Sequence, residues 1–356
     1  MRAPSVNLPD LVVDFLSRDA IVAIGVSGGK DSQAAAIATT RRLSEIDFRG
    51  TVVLIHSDLG VVEWSQSRPV CERLADHLDL ELMVVHRTSG DLMDRWETRW
   101  ASSQRRYQDL ETVTLVPCWS TPAMRFCTSE LKTHLIAAAL RKRFPGRYII
   151  NVTGIRNDES SARAKMPAAS LQKGGGSLHW RPIATWTVTD VYGCIASAGL
   201  DLHEAYTCFG MSRVSCRFCI MSSAADLAAA VRQPESLHLF RRMVRLEAES
   251  TFAFQGARWL GDLDPSRIEF EDRERFFEAK VKALKRVAIE SQVTKPMRYV
   301  AGWPTRMLTD VEADILADVR SEVSDLLGFK SAYLTRDCIH ERYASLMDAH
   351  QKRAVA

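Results

Sequence analysis

Short apolar runs alternate with helix-forming stretches from residue 20 to about residue 154. Each run is continuous and rich in β-branched residues, which predicts buried strands at IVAIGV (21–26), TVVLIHSD (51–58), LELMVVH (80–86) and YIINVTG (148–154). The segments between them, such as QAAAIATTRRL, the stretch around RPVCERLADHL and residues 129–143, favour helices. Strands that alternate with helices predict an α/β fold, in which a parallel twisted sheet carries helices on both faces.

The pattern changes after the fourth predicted strand. LQKGGGSLHW (171–180) is predicted to be a flexible loop, because three consecutive glycines do not hold regular structure cheaply. TVTDVYGCIASAGL (187–200) predicts a helix that Thr187 or Thr189 caps and Gly199 ends. Beyond about residue 222 only helical periodicity is visible. We therefore predict two domains, an α/β domain over residues 1–222 and a helical C-terminal domain over residues 223–356.

Composition and charge narrow the possible classes of protein. The chain has 356 residues, 46% hydrophobic and 26% charged, which is ordinary for a globular protein, and its net charge of +3 demands no polyanionic partner. Basic runs such as RKRF (141–144) are typical of solvated helix faces, with nucleic-acid contact as the alternative. No apolar run approaches the ~18 residues of a membrane helix, and the N-terminus does not resemble a signal peptide. The expectation is a cytoplasmic protein without a membrane partner, whose eight cysteines are thiols or ligands.

The segment VSGGKDS (26–32) joins the first predicted strand to a helix. This junction is where open α/β sheets bind ligands. Gly28 and Gly29 allow close approach of an anion, the helix N-terminus offers free N–H groups, and Lys30, Ser27 and Ser32 add charge and hydroxyl donors. The spacing fits neither the Walker pattern nor the dinucleotide fingerprint. The alternative is a tight turn with a chance lysine.

Five motifs in order resemble one known family. SGGKDS resembles the pyrophosphate loop of the ATP pyrophosphatases, and residues 20–222 resemble the phosphoadenosine phosphosulfate (PAPS) reductase family through IHSDLG (55–60), RFCTSELK (125–132), GIRNDESSAR (154–163) and WRPIATWTVTDVYGCIASAGLDLHEAY (180–206). The resemblance implies an adenine nucleotide alpha-hydrolase-like fold that binds ATP with Mg²⁺, or a related adenosine nucleotide. The implied nucleotide site consists of Ser27, Gly28, Gly29, Lys30, Asp31, Ser32, Asp58, Arg125, Lys132, Gly154, Arg156, Glu159 and Arg163.

Within that site, four residues are expected to serve catalysis: Lys30, Asp58, Arg156 and Arg163. Asp58 ends the second strand, where it can accept from a ribose, an adenine amine or hydrated Mg²⁺, or simply be a turn acid. Arg156 and Arg163 are planar forks suited to phosphate or sulfate, with Glu159 between them to orient them or hold a metal. A solvated surface cluster is the alternative for these three residues.

The cysteines predict a second centre. In CFGMSRVSCRFC, Cys216 and Cys219 form a C-x-x-C pair, and Cys208 upstream favours a metal or cluster over a simple dithiol. The resemblance puts the RFCT motif near the nucleotide, so Cys127 is the expected fourth ligand, ahead of Cys118 and Cys194. Arg125 and Lys132 flank it and can lower the pKa of its thiol or bind an anion. The residue types allow a 4Fe-4S cluster, zinc as an alternative, or no metal.

Two departures from the reductases affect the expected reaction. Cluster-bearing APS reductases have a Cys-Cys pair where this chain has Phe126-Cys127, and RDCIH (336–340) is only faintly similar to the reductase's catalytic tail. Cys338 is therefore expected to be a structural thiol, with a nucleophile as the alternative. CFGMSRVSCRFC instead resembles the cluster region of DndC-type DNA phosphorothioation proteins.

The resemblance thus implies an ATP pyrophosphatase of sulfur metabolism that adenylates an acceptor for sulfur insertion. Its expected partners are a sulfur donor protein, such as a cysteine desulfurase or a thioredoxin-like protein, and a DNA or tRNA acceptor. Two alternatives stay open. One is a PAPS or APS reductase that produces sulfite, and the other is a nucleotide-sensing or interaction subunit with a structural metal.

Overall fold

A six-stranded sheet is the centre of the first part of the chain. The computed structural model describes residues 4–355; residues 1–3 and 356, the outer ends of the two predicted domains, lie outside the described residues. The strands are β1 (Ile21–Val26), β2 (Val52–Asp58), β3 (Leu82–His86), β4 (Ile149–Val152), β5 (Ala169–Leu171) and β6 (Ser177–Trp180). Their order across the sheet is β3-β2-β1-β4-β6-β5. The four strands predicted from the apolar runs are confirmed, and with them the α/β fold class.

Strand β1 is at the centre because it is apolar on both faces. It pairs in parallel with β2 and with β4, and Val22 lies opposite Val52 on one side and Ile150 on the other. β2 pairs in parallel with β3, and β4 with β6. A strand with neighbours on both edges and helices over both faces must be continuously hydrophobic, which explains why IVAIGV shows no polar alternation.

The glycine-rich segment is not a flexible loop, and that prediction was wrong. β5 and β6 flank the glycines and pair antiparallel, with Ser170 opposite His179, so the sheet has an antiparallel edge. Gly174 and Gly175 have φ values of 94° and 73°, which L-residues rarely adopt. The glycines therefore make the hairpin turn, and the residues on either side are free to form strands.

Helices account for most of the remaining described chain. They are α1 (Asp10–Ser17), α2 (Lys30–Glu45), α3 (Ser67–Leu78), α4 (Leu92–Gln108), α5 (Phe126–Thr128), α6 (His134–Arg143), α7 (Ser161–Ala164), α8 (Val188–Ser197), α9 (Glu204–Thr207), α10 (Ala224–Arg232), α11 (Leu237–Ser250), α12 (Phe270–Glu290), α13 (Asp310–Leu327) and α14 (Arg336–Val355). A π-helical turn at Ser129–Thr133 precedes α6. Thr187 caps α8, as predicted, by accepting from the backbone N–H of Asp190. The helical C-terminal region is confirmed.

The described chain folds as two compact units. One consists of the chain up to Leu92 together with Pro122–Ser236, and the other of Met93–Thr121 together with the chain from Leu237 onward. The two units are defined by contacts between residues, and each combines segments that are distant in sequence. The predicted domain boundary after residue 222 is a position along the chain, and it stays a prediction.

In the first unit, the two faces of β1 belong to different cores. Val22, Ile24 and Val26 pack with residues of α1, α2 and α3, whereas Ile21 and Ala23 pack with Leu140 of α6. Full burial of one aliphatic side chain of this size contributes about 1.5–3 kcal/mol. On its far side α2 packs against α8 through a cluster that includes Ala34, Ala35, Trp186 and Val191. These contacts fix the start of α2 relative to the ends of the strands.

In the second unit, aromatic side chains bring the two chain segments together. Trp96 and Trp119 pack edge-to-face at 5.3 Å, and Phe254 lies 5.2 Å from Trp119. Glu247 is fully buried and accepts the backbone N–H groups of Phe254, Leu260 and Gly261. Burial raises the pKa of Glu247 to about 8 even though these hydrogen bonds act to lower it.

No helix among residues 4–355 has the length and apolar character needed to cross a membrane.

Candidate nucleotide and cysteine site

The glycine loop lies at the carboxyl end of β1 and opens α2. Gly28 has a φ of 73°, and a Cβ atom there would be 3.0 Å from the carbonyl oxygen of Ser67 and 3.2 Å from the ring of His203. Gly29 is the N-cap residue of α2, and its carbonyl accepts from the hydroxyl of Ser32 at 2.8 Å. The hydroxyl of Ser32 also accepts the N–H of Ser27 at 3.2 Å. The short side chains thus fold the loop on itself, and Gly28 is required by its positive φ and its close neighbours, whereas a Cβ on Gly29 would meet its nearest atoms at an ordinary 3.6 Å.

Two buried cations converge on one carboxylate behind the loop. Lys30 and Arg156 are 6% and 3% exposed. The Nζ of Lys30 lies 3.1 Å from Asp31 Oδ2, and the Nε of Arg156 lies 2.7 Å from Asp31 Oδ1. Burial acts to lower the pKa of Lys30, but Tyr206 and Asp31 outweigh it, so the pKa is raised and the ammonium group is charged at neutral pH. Asp31 therefore holds two positive charges at the first turn of α2.

Gly154 brings the GIR motif into direct contact with the loop helix. A Cβ atom on Gly154 would lie 2.3 Å from the carbonyl oxygen of Asp31 and 2.9 Å from the backbone nitrogen of Ser32. These are backbone atoms, which cannot swing away as the end of a flexible side chain can. The end of β4 and the start of α2 therefore touch through a position that only glycine fits.

The remainder of that motif forms a chain of ion pairs. Arg156 Nη1 contacts Asp158 Oδ2 at 2.5 Å, and its backbone N–H donates to Glu159 Oε2 at 2.9 Å. Glu159 also pairs with Arg163, whose side chain is partly exposed. Arg163 is thus the more accessible of the two predicted arginines, while Arg156 is engaged with carboxylates.

Asp58 ends β2 as predicted and closes the turn that follows. Its Oδ1 accepts the N–H of Gly60 at 2.8 Å. The neighbouring His56 is buried, with Nδ1 3.0 Å from the carbonyl of Val26 and Nε2 3.3 Å from Glu63. Burial acts to lower the pKa of His56, but contacts with Cys71 and Glu63 raise it to about 10. The charged His56 thus contacts Val26, the residue that leads into the glycine loop. The sequence pattern gave no indication of the pair that His56 forms with Glu63.

Tyr206 is a second residue that the sequence did not single out. Its hydroxyl oxygen accepts the backbone N–H of Lys30 at 3.3 Å and of Val214 at 3.2 Å. The ammonium group of Lys30 lies 5.2 Å from the centre of its ring. Tyr206 therefore joins the loop to the segment that leads to the C-x-x-C pair. The only sequence signal was its place at the end of the DLHEAY motif.

His203 packs against the glycine loop beside Tyr206. It is fully buried, and its Nδ1 accepts the N–H of Ala205 at 2.9 Å. Burial lowers the pKa of His203, so the ring is neutral and Nε2 carries the proton, which points to Ser67 Oγ at 3.2 Å. The segment from His203 to Tyr206 is thereby fixed against Gly28 and Lys30.

Three of the predicted cysteine ligands interact electrostatically. Cys127, Cys216 and Cys219 are half-buried, while Cys208 is exposed and lies next to the hydroxyl of Thr207 at 3.5 Å. Desolvation by the surrounding protein raises the pKa of Cys216 to about 12; Lys132 acts to lower it, and the charges of Cys219 and Cys127 raise it further. Lys132 therefore acts on this thiol group, and Arg125 is exposed at the N-terminus of α5.

The thiols do not form a closed ligand set as they are arranged. Among the described residues, no three His, Cys, Asp or Glu side chains are placed to hold a metal ion. The raised pKa means that Cys216 keeps its proton at neutral pH until a metal displaces it, so metal binding there would be strongly pH-dependent.

Comparison with known proteins decides the family. The model of the phosphoadenosine phosphosulfate reductase domain matches residues 21–221, which contain the glycine loop, the four further motifs that resemble the family and the C-x-x-C pair. The chain belongs to the PAPS reductase domain family. This membership supports a nucleotide-binding, sulfur-related enzyme and specifies no particular reaction. No curated protein matches the chain at a significant level.

Solved structures similar to this PAPS reductase domain protein are distant in sequence. A PAPS reductase from Candida auris in a phosphate complex is 13% identical over 60% of this chain and 98% of that one, with a TM-score of 0.37. NAD+ synthetase from Burkholderia pseudomallei is 16% identical over 55% and 73%, with a TM-score of 0.33. The U34-tRNA thiolase NcsA from Methanococcus maripaludis, with its 4Fe-4S cluster, is 15% identical over 64% and 69%, with a TM-score of 0.39.

Proposed function

We propose that this protein is an ATP pyrophosphatase that adenylates an acceptor and thereby activates it for sulfur insertion, in a reaction like that of DNA phosphorothioation. The observation that carries the proposal is the pair of buried cations, Lys30 and Arg156, which Asp31 holds at the first turn of α2 beside the glycine loop. A helix N-terminus with a fixed positive charge binds the phosphates of a nucleotide favourably. The PAPS reductase family match over the same motifs supports the nucleotide as the ligand.

The reaction needs positioning and charge more than a nucleophile from the protein. An acceptor oxygen forms a bond to the α-phosphorus of ATP, while the bond from that phosphorus to the bridging oxygen of pyrophosphate breaks. The products are the adenylated acceptor and pyrophosphate, with no change of oxidation state. Mg²⁺, when bound with ATP, would neutralise charge on the phosphates. In the proposed reaction, Lys30 and the loop N–H groups would hold the leaving pyrophosphate, and the partly exposed Arg163, now paired with Glu159, would stabilise the charge that develops on the transferring group.

The test is pyrophosphate release from ATP in the presence of DNA or bulk tRNA as acceptor. We expect Lys30→Ala to lower the rate by roughly 10²-fold or more, because removal of one preorganised charge donor typically costs about that much. Lys330→Ala, at an exposed position after α13 and outside the basic runs, is the matched control and should retain the wild-type rate.

Other outcomes separate the alternative functions. Sulfite release from PAPS in place of pyrophosphate release from ATP would refute the adenylation proposal and favour a reductase. ATP binding with no turnover for any acceptor would favour a nucleotide-sensing subunit. In both cases the family membership would be unaffected.

We further propose that the cysteine centre handles the sulfur that a donor protein supplies. Cys127, Cys216 and Cys219, with Cys208, would hold a 4Fe-4S cluster, with zinc as the alternative. The three half-buried thiols that interact electrostatically support this assignment, whereas the exposed Cys208 and the lack of a closed ligand set do not. No step of the adenylation is assigned to the group. Anaerobic purification should give a brown protein with about four irons per chain, absent in Cys216→Ser; a colourless protein with one zinc would refute the cluster.

A further inference from the structure

Helix α12 has two apolar faces, and only one of them is covered. Phe276, Ala279, Arg286 and Glu290 are buried within the second unit. Phe270, Phe277, Val281 and Leu284 lie on a different face and are 86%, 48%, 53% and 75% exposed. At about 100° per residue, these four positions fall within an arc of about 60° on the helix. They form one stripe, which we call the α12 stripe.

An exposed stripe of this kind is a marker of an interaction surface. Removing Phe or Leu side chains from water is favourable, and single exposed apolar residues are normal whereas contiguous ones are not. The spacing of the α12 stripe, with apolar side chains at i, i+7, i+11 and i+14, is that of a helix that packs along another helix.

The charges beside the stripe differ between the two halves of the helix. On one flank, Glu271, Glu274 and Glu278 occupy the N-terminal half, and Lys282 and Lys285 occupy the C-terminal half. The ammonium group of Lys280 is already paired with Asp262 at 2.7 Å. The flank is therefore acidic at one end and basic at the other.

We propose that the α12 stripe is a homodimer interface, in which α12 packs antiparallel against α12 of a second copy. A twofold axis near residue 280 brings Phe277 of each copy next to Leu284 of the other. The same axis brings the acidic half of each flank opposite the basic half, so that Glu274 meets Lys285. In an antiparallel pair each flank meets the same flank of the other copy, so this acid-to-base order is self-complementary. The charge distribution therefore favours a second copy of this chain in the antiparallel orientation.

The twofold arrangement closes, so it predicts a dimer and no larger assembly. The interface is one helix of 21 residues, about 31 Å long, on each side. An interface built from a single helix pair falls in the small size class, so the dimer is expected to dissociate on dilution. The proposal is independent of the reaction that the first unit performs.

Sedimentation velocity of the full chain over a range of concentrations tests the proposal. We expect a species of about twice the 39.9 kDa chain mass that dissociates on dilution. Leu284→Asp should abolish it. Glu274→Lys and Lys285→Glu should each weaken it roughly tenfold, because each removes two opposite-charge pairs and places like charges opposite each other twice.

The double variant Glu274→Lys/Lys285→Glu restores opposite charges and should recover the wild-type dimerisation constant. Glu341→Lys, an exposed position on α14, is the matched control and should leave the constant unchanged. All these positions are exposed, so thermal unfolding followed by circular dichroism should show an intact fold. A wild-type chain that stays monomeric at every concentration, or a double variant that stays as weak as the single ones, would overturn the proposal.

Discussion

Replacing Gly154 with alanine tests how closely the GIR motif supports the glycine loop. The added Cβ would lie 2.3 Å from the carbonyl oxygen of Asp31, whereas an ordinary contact is at least 3.4 Å. The end of β4 or the first turn of α2 must therefore move by about 1 Å. Overpacking of this kind costs about 1–3 kcal/mol of unfolding free energy. A displacement of about 1 Å in a positioning element can lower a catalytic rate by as much as 10²-fold.

The measurements are urea unfolding, calorimetric titration with Mg-ATP or pyrophosphate, and the rate of pyrophosphate release. Gly193→Ala is the matched control, because a Cβ there meets nothing within 4 Å and Gly193 lies inside α8. Alanine in a helix interior should stabilise the protein by about 0.5–1 kcal/mol and leave binding unchanged. If Gly154→Ala were as stable as wild type and bound pyrophosphate equally well, the close approach would have no part in holding the loop.

Three further predictions concern residues that the sequence pattern did not reveal. Tyr206→Phe removes the oxygen that accepts from Lys30 and leaves that N–H for an anion, so pyrophosphate should bind roughly 3- to 10-fold more tightly by calorimetry; weaker binding would mean that the hydroxyl shapes the loop. The pKa of His56 is raised to about 10 in the folded protein. The stability that His56 contributes is therefore complete below its unfolded pKa near 6.5 and is lost as the pH rises through about 10. Glu63→Gln should flatten this pH dependence, which urea unfolding at pH 6, 8 and 10 would measure. Arg320 is fully buried and donates to three backbone carbonyls and Ser331. Arg320→Met should lower the unfolding free energy by about 3 kcal/mol or more, because each buried carbonyl that loses its donor costs about 1–3 kcal/mol, and a loss under 1 kcal/mol would contradict this role.

The strands that line the centre of the sheet could be predicted because they are buried on both faces. β1, β2 and β4 lie inside the sheet and are mostly buried, so apolar residues dominate their runs. β3 is an edge strand and only half-buried, but its residues Leu82–Val85 are apolar as well, so it showed the same signal. β5 and β6 were missed because glycine indicates flexibility and tight turns equally well in a sequence. The pairing of Ser170 with His179 shows that the glycines form a tight turn. This pairing joins residues on opposite sides of the turn, and no local sequence pattern indicates it.

The glycine loop could also be predicted, but the partners of its charged residues could not. Lys30 was expected from the motif, whereas its N–H contact with Tyr206 joins residues 176 positions apart. The motif gave Arg156 as a phosphate ligand without indicating that Asp31 and Asp158 engage its guanidinium group. Ion pairs between residues distant in sequence depend on packing, and the pattern of one chain does not encode which carboxylate reaches which arginine.

The second unit is built from two chain segments that are far apart in sequence, and this affects its folding while the chain is synthesised. Trp96, Trp100 and Trp119 are buried there, and their aromatic neighbours Phe252 and Phe254 belong to the later segment. The ribosome must therefore add residues 122–236 before those neighbours exist, which takes on the order of 10 s at roughly 5–20 residues per second. During this interval three tryptophans of the nascent chain lack their native cover. The protein is consequently expected to depend on chaperones that shield aromatic segments, even though each unit by itself is an ordinary packed core.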